Sequence, residues 1–107
     1  MKRSDESAGH RHARLEEVIL EELRGLFRDD VSDPALASVR ITRLVLSVDY
    51  RHVRAHFVVR DVARDVAEAR LARATPFLRA RIGEAIDLKR LPDLGFVFDG
   101  TTPWEDA

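Results

Sequence analysis

Six cations crowd residues 69–92 of this 107-residue chain: Arg70, Arg73, Arg79, Arg81, Lys89 and Arg90, with only Glu84 and Asp87 opposing them. Guanidinium groups bond phosphate oxygens in a forked geometry, so such a cluster suits a polyanion. The cations surround Ala74-Thr75-Pro76. Pro76 has no amide hydrogen and its ring crowds the carbonyl of Ala72, so the sequence predicts that a straight helix stops here. Thr75, pushed toward extended geometry by the proline after it, is the expected N-cap, with Pro76 at the first position of a second helix. A bent helix pair carrying cations is a tool for holding nucleic acid, and free amides at the second helix's start add an anion preference. The plainer reading is a solvated face, because Arg and Lys sit outside in most proteins.

Other residue types offer less chemistry. His10 and His12 flank Arg11, while His52 and His56 share one side of a strand. Two imidazoles without cysteine or clustered carboxylates make a poor metal site, so no metal is expected. Ser47, Asp49 and His52 are close in sequence, but around a turn where side chains splay apart. Asp29 with Asp30, and Asp61 with Asp65, read as helix ends or caps. The glycines at 9, 25, 83, 95 and 100 are scattered, which excludes a glycine-rich phosphate loop. No catalytic residue and no cofactor is expected. A small hydrolase built on Asp49 and His52 is the enzymatic rival.

Composition narrows the class. The chain has no cysteine, and therefore no disulfide or thiolate chemistry. No apolar run approaches the roughly 20 residues that cross a bilayer, and the first residues lack a signal peptide's apolar stretch. A cytoplasmic address without a membrane partner is the expectation. The formal charge is −1, yet it is polarised: residues 13–30 carry −3, residues 69–92 carry +4 and residues 93–107 carry −4. Polarised charge orients a partner even when the total is near zero.

The elements that must position these residues follow from periodicity. Leu15, Val18, Ile19, Leu23, Leu26 and Phe27 recur at helical spacing from Arg14 to about Asp30, after a polar, aperiodic segment over residues 1–12. Asp33-Pro34 turns the chain. Val39 and Ile41 alternate in one phase and Leu44, Leu46 and Val48 in the other, which predicts a strand with a bulge near Thr42-Arg43. Asp49-Tyr50-Arg51 is a turn, and Val53, Ala55, Phe57 and Val59 form a second strand antiparallel to the first. Two helical runs follow, one with Val66, Ala67, Leu71 and Ala74 on a side, the next with Leu78, Ile82, Ala85 and Ile86. Leu94, Phe96 and Phe98 alternate in a last short strand, and residues 100–107 are read as an acidic tail on which Trp104 can dock. The residues thus predict an α+β domain over 13–99, α-β-β-α-α-β, with a three-stranded mixed sheet and helices on one face.

In order and spacing these pieces resemble the bacterial ribosome-binding factor A family. The resemblance rests on Asp33-Pro34-Ala35-Leu36, on Ser47-Val48-Asp49-Tyr50, on Ala74-Thr75-Pro76-Phe77-Leu78-Arg79, and on the run from Leu88-Lys89-Arg90 through Leu91-Pro92-Asp93-Leu94-Gly95-Phe96-Val97-Phe98-Asp99. It implies a type II KH-like domain with a helix-kink-helix at Ala74-Thr75-Pro76, where the family carries an Ala-x-Gly kink and this chain has Pro76 instead.

It also implies a function. Members bind the small (30S) ribosomal subunit and its 16S rRNA late in assembly, support processing of the rRNA 5′ end, aid adaptation to cold, and leave with help from a GTPase. The mechanism is stoichiometric binding by a monomer, not catalysis. Carried over by position, Arg79, Lys89 and Arg90 are the foremost RNA contacts, followed by Arg70, Arg73 and Arg81, with Arg11, Arg14 and Arg43 as additions. The alternative is a protein-interaction module that does not depend on RNA.

Overall fold

The first helix buries Ile19, Leu23 and Leu26, one stripe of its surface, and leaves Val18 exposed. In the computed structural model, which describes residues 2–101 and the side chains of residues 10–100, this helix (α1) spans Lys2–Asp29. It therefore covers the stretch before residue 13 that lacks an apolar stripe and was expected to be irregular. The amides of Asp30 and Val31 both reach back to the Leu26 carbonyl, 2.9 Å each, and close the helix.

Strand β1 (Val39–Leu46) pairs antiparallel with β2 (His52–Val59), which pairs parallel with β3 (Asp93–Thr101). The order β1-β2-β3 makes a mixed three-stranded sheet with β2 at its centre. The register shifts between Ile41 and Arg43, which is the bulge the change of alternation requires. It lets Ile41 and Leu44 both face the core although they stand three positions apart, an odd spacing. β3 is longer than the Leu94–Phe98 alternation suggested and includes Gly100. Trp104 lies outside the described residues.

Helices cover one face of the sheet, where Val53, Ala55, Phe57 and Val59 of β2 meet both of them in a single core. Phe57, fully buried, takes the rings of Phe96 and Phe98 edge-on, with centroids 6.4 and 5.6 Å away. The other face stays open, with Arg40, Arg43, Val45, His52 and Arg54 exposed. Helix α1 also closes the free edge of β1. Glu16 Oε2 accepts the Leu46 amide at 2.8 Å, and Arg24 donates to the carbonyls of Ile41 and Thr42 at 3.0 and 3.1 Å. Those groups would otherwise template another strand.

The expected helix-kink-helix is one helix. α2 runs without a break over Arg64–Ala85, with Pro76 inside it. Packing explains the difference, because Ala67, Leu71, Leu78 and Ile82 form one stripe buried across the proline. Splitting the helix would uncover one half of that stripe, whereas Pro76 forfeits a single amide bond to the carbonyl of Ala72, an exposed residue. Thr75 is not an N-cap: its hydroxyl donates to the Leu71 carbonyl at 2.8 Å, inside the helix. The result is an α+β fold, KH-like in element order except that the last two helices are joined.

Candidate nucleic-acid interface

The segment between α2 and β3, Ile86–Pro92, owes its shape to two residues one turn apart on α2. At Gly83 an added Cβ would lie 2.9 Å from Leu91 Cδ2, so glycine gives the Leu91 side chain its present place against the helix without a shift. The Arg79 guanidinium, half-buried, donates from Nε to the Pro92 carbonyl at 3.1 Å and from Nη2 to the Leu91 carbonyl at 3.2 Å. These contacts hold the end of the segment on the body and leave Lys89 and Arg90 exposed just before it.

Lys89 and Arg90 line a cavity of about 310 Å³. Its apolar lining comes from Leu15 of α1, Leu46 of β1, and Leu88 and Pro92 of the segment. The β1–β2 turn supplies the rest: Asp49, Tyr50 and Arg51. The turn is tightly wired. Ser47 Oγ donates to Asp49 Oδ1 at 2.7 Å and accepts the His52 amide at 2.9 Å, while the Arg51 amide donates to Asp49 Oδ1 at 3.1 Å. The Ser47 hydroxyl, foremost, and then the Arg51 amide hold the Asp49 carboxyl below the usual carboxylate value. Ser47 and Asp49 thus serve the turn, and His52 turns to Asp93, 3.8 Å away.

Helix α1 borders the same region. His12 places its ring edge-on to Tyr50, centroids 5.2 Å apart, with Nε2 3.2 Å from the Ser47 carbonyl. Arg11, four residues before Leu15, shares that helix face, and Arg14 flanks it. Three cations, Lys89, Arg90 and Arg51, therefore line one cavity, while Arg11 lies one turn before its Leu15 and Arg14 lines a separate hollow with His10, Ala13 and Glu17.

The structure does not bring all nine predicted contact residues together. Arg70 Nη1 lies 2.8 Å from both oxygens of Asp33, and Arg73 faces the same carboxylate. Arg81 pairs with Asp30 at 2.6 Å and Glu84 at 3.4 Å, above the Phe77 ring. Arg70 and Arg81 dock α2 onto the α1–β1 connection, while Arg73 stays exposed nearby. Arg79 spends its donors on carbonyls. Arg43 is on the open face of the sheet, beside His56 at 3.5 Å and Asp99 at 4.0 Å. Arg51 and Tyr50 line the cavity but were not among the expected contacts. The signal was an aromatic next to a cation at a hairpin tip, a pairing that stacking and phosphate binding both use. Among the described residues no three histidines or carboxylates gather as a metal site, and no helix is long and apolar enough to cross a membrane.

An α+β domain with a cation-rimmed cavity at one end is the class this geometry defines. A family model described as Ribosome-binding factor A matches residues 11–104. Two relatives named Ribosome-binding factor A show the similarity directly. That from Heliobacterium modesticaldum is 40% identical over 94 residues, covering 86% of this chain and 78% of its own. That from Ruthia magnifica is 34% identical over 97 residues, covering 91% and 87%. The crystal structure of ribosome-binding factor A from Thermus thermophilus superposes with a TM-score of 0.75 at 24% identity, over 81% of this chain and 93% of that one. A homology model of the Thermus thermophilus factor, fitted into a cryo-EM map of a 30S complex, matches with a TM-score of 0.59 at 25% identity, over 82% and 90%. The chain belongs to the ribosome-binding factor A family.

Proposed function

We propose that this protein binds the small ribosomal subunit through its 16S rRNA, using Lys89, Arg90 and Arg51 around the cavity, with Arg11 and Arg14 of α1 as additions. One observation carries the reading: the Lys89-Arg90 pair is presented by a segment that Arg79 and Gly83 hold on the body. Cations on a rigid support engage phosphates at lower entropic cost than cations on a loose loop. Family membership, and the 30S complex for which a relative's coordinates were fitted, support the same reading.

The role is stoichiometric. A bound factor favours one rRNA arrangement in a maturing subunit, supports processing of the rRNA 5′ end, and is needed most when cold slows RNA refolding. It acts in the cytoplasm as a monomer and leaves with the help of a GTPase. Arg70, Arg81 and Arg43 touch rRNA only where phosphates outcompete their present carboxylate partners.

Co-sedimentation with small subunits on a sucrose gradient tests the proposal. Lys89→Glu with Arg90→Glu should abolish co-sedimentation at moderate salt while the fold stays intact. The conservative loss of both charges, Lys89→Ala with Arg90→Ala, should flatten the slope of log affinity against log salt by about two. Undiminished binding of the charge-reversed protein overturns the assignment.

A further inference from the structure

We propose that the cavity between the β1–β2 turn and residues 88–92 receives the base of one unpaired nucleotide of a single-stranded RNA, while Lys89, Arg90 and Arg51 hold its flanking phosphates. This rests on the RNA-binding reading above and names the kind of RNA. Contact with phosphates alone needs no hollow; a cation-bearing surface is enough. Here the cations border a space of about 310 Å³ whose walls include Leu15, Leu46, Leu88 and Pro92. Apolar walls beside charged rims match a nucleotide, which has a flat ring at one end and an anion at the other.

Tyr50 supplies the ring that stacking requires. It is the chain's only tyrosine, it lines the cavity, and it is 39% exposed. Its backbone is left-handed, with φ of +65°, a conformation uncommon for an aromatic residue. The turn enforces it, with the Tyr50 amide donating to the Ser47 carbonyl at 2.9 Å and the His12 ring fixing the side chain edge-on. Asp49 completes the recognition. Its Oδ1 already accepts from the Ser47 hydroxyl and the Arg51 amide, and a carboxylate offers about four acceptor positions. The remainder can accept an amino or imino N–H from the edge of a base. A duplex hides that edge and cannot present a base to the hollow, so the site selects single strands.

Three probes, compared at equal phosphate concentration, test this with the full chain: a labelled single-stranded RNA octamer, the same sugar–phosphate chain without bases, and a blunt RNA duplex. The wild type should bind the octamer about tenfold more tightly than either of the others. Tyr50→Asn keeps a residue that accepts the left-handed turn but removes the ring, and should erase that tenfold difference without weakening binding to the duplex. Leu88→Trp, which fills the hollow, should do the same. Lys89→Glu should weaken all three probes alike. Equal affinity of the wild type for the octamer and the baseless chain, or an octamer preference that survives both Tyr50→Asn and Leu88→Trp, overturns the nucleotide site. If Lys89→Glu with Arg90→Glu still abolishes subunit co-sedimentation in that event, the RNA-binding reading stands without it.

Discussion

Arg79 Nε donates to the Pro92 carbonyl at 3.1 Å, across the loop that joins α2 to β3. With its second bond to Leu91, this guanidinium acts on the Lys89-Arg90 pair indirectly, by fixing the two residues that follow it. Each bond from a charged donor to a carbonyl is worth about 1.5 to 3 kcal/mol when sheltered, and less where solvent competes. Arg79→Met, which keeps the aliphatic stem, should therefore cost about 2 kcal/mol in urea unfolding. The Lys89→Glu and Arg90→Glu protein should unfold within about 0.5 kcal/mol of wild type. If the two variants swap these behaviours, Arg79 is the contact and Lys89-Arg90 the structural element.

Pro76 gives a second prediction. Proline is about 3 kcal/mol worse than alanine inside a helix, and part of that is offset because proline also restricts the unfolded chain. Pro76 is exposed and makes no buried contact that alanine would lose. Pro76→Ala should therefore stabilise the protein by about 2 kcal/mol, with Tm rising by roughly 10 °C in calorimetry. A fall in Tm would mean that the proline sets a bend on which the stripe's packing depends.

This residue also shows where sequence reading ran out. Period-2 alternation located β1, β2 and β3, and the phase change at Thr42-Arg43 revealed the bulge, because side-chain direction along a strand is a local property. Whether a helix continues through proline is not local. It depends on what the residues beyond Pro76 bury, here Leu78 and Ile82 against the sheet. The site was half legible for the same reason. Clustering along the chain pointed to Lys89 and Arg90, which line the cavity, but 3.6-residue geometry sends Arg70 and Arg81 toward Asp33 and Asp30 and Arg79 toward Leu91 and Pro92. Arg51 and Tyr50 joined the site only once antiparallel pairing set the hairpin tip beside residues 88–92.

Gly83 and Leu91 make a third test. Alanine at Gly83 gains about 1 kcal/mol of helix propensity, but its Cβ would meet Leu91 Cδ2 at 2.9 Å and Cδ1 at 3.1 Å. Leu91 is a flexible side chain and can shift, so Gly83→Ala alone should be close to neutral. In a Leu91→Ala background the collision is gone and the propensity gain should appear in full. A double-mutant cycle by urea unfolding should then give a coupling of about 1 kcal/mol. Strict additivity would show that Leu91 does not rest on Gly83.

The Asp33–Arg70 pair predicts the acid limb of stability. Hydrogen bonds from Arg70 Nη1 are the main reason the Asp33 carboxyl sits below its ordinary value of 3.8, helped by the Ala35 amide at 3.0 Å. A carboxyl with a depressed folded pKa binds its proton more readily when unfolded, so its contribution is complete above pH 3.8 and vanishes as pH falls through the folded value. Asp33→Asn keeps an acceptor for the Ala35 amide but removes the charge facing Arg70. The variant should be less stable than wild type at pH 7, and the gap should close below pH 3.8 in urea titrations run at successive pH values. Asp49, lowered by the Ser47 hydroxyl and the Arg51 amide, titrates in the same window. Part of the acid slope should therefore survive in Asp33→Asn and shrink further when Asp49→Asn is added. A gap that stays constant from pH 7 down to pH 2 would show that Asp33 acts by shape and hydrogen bonding alone, with no net attraction to Arg70.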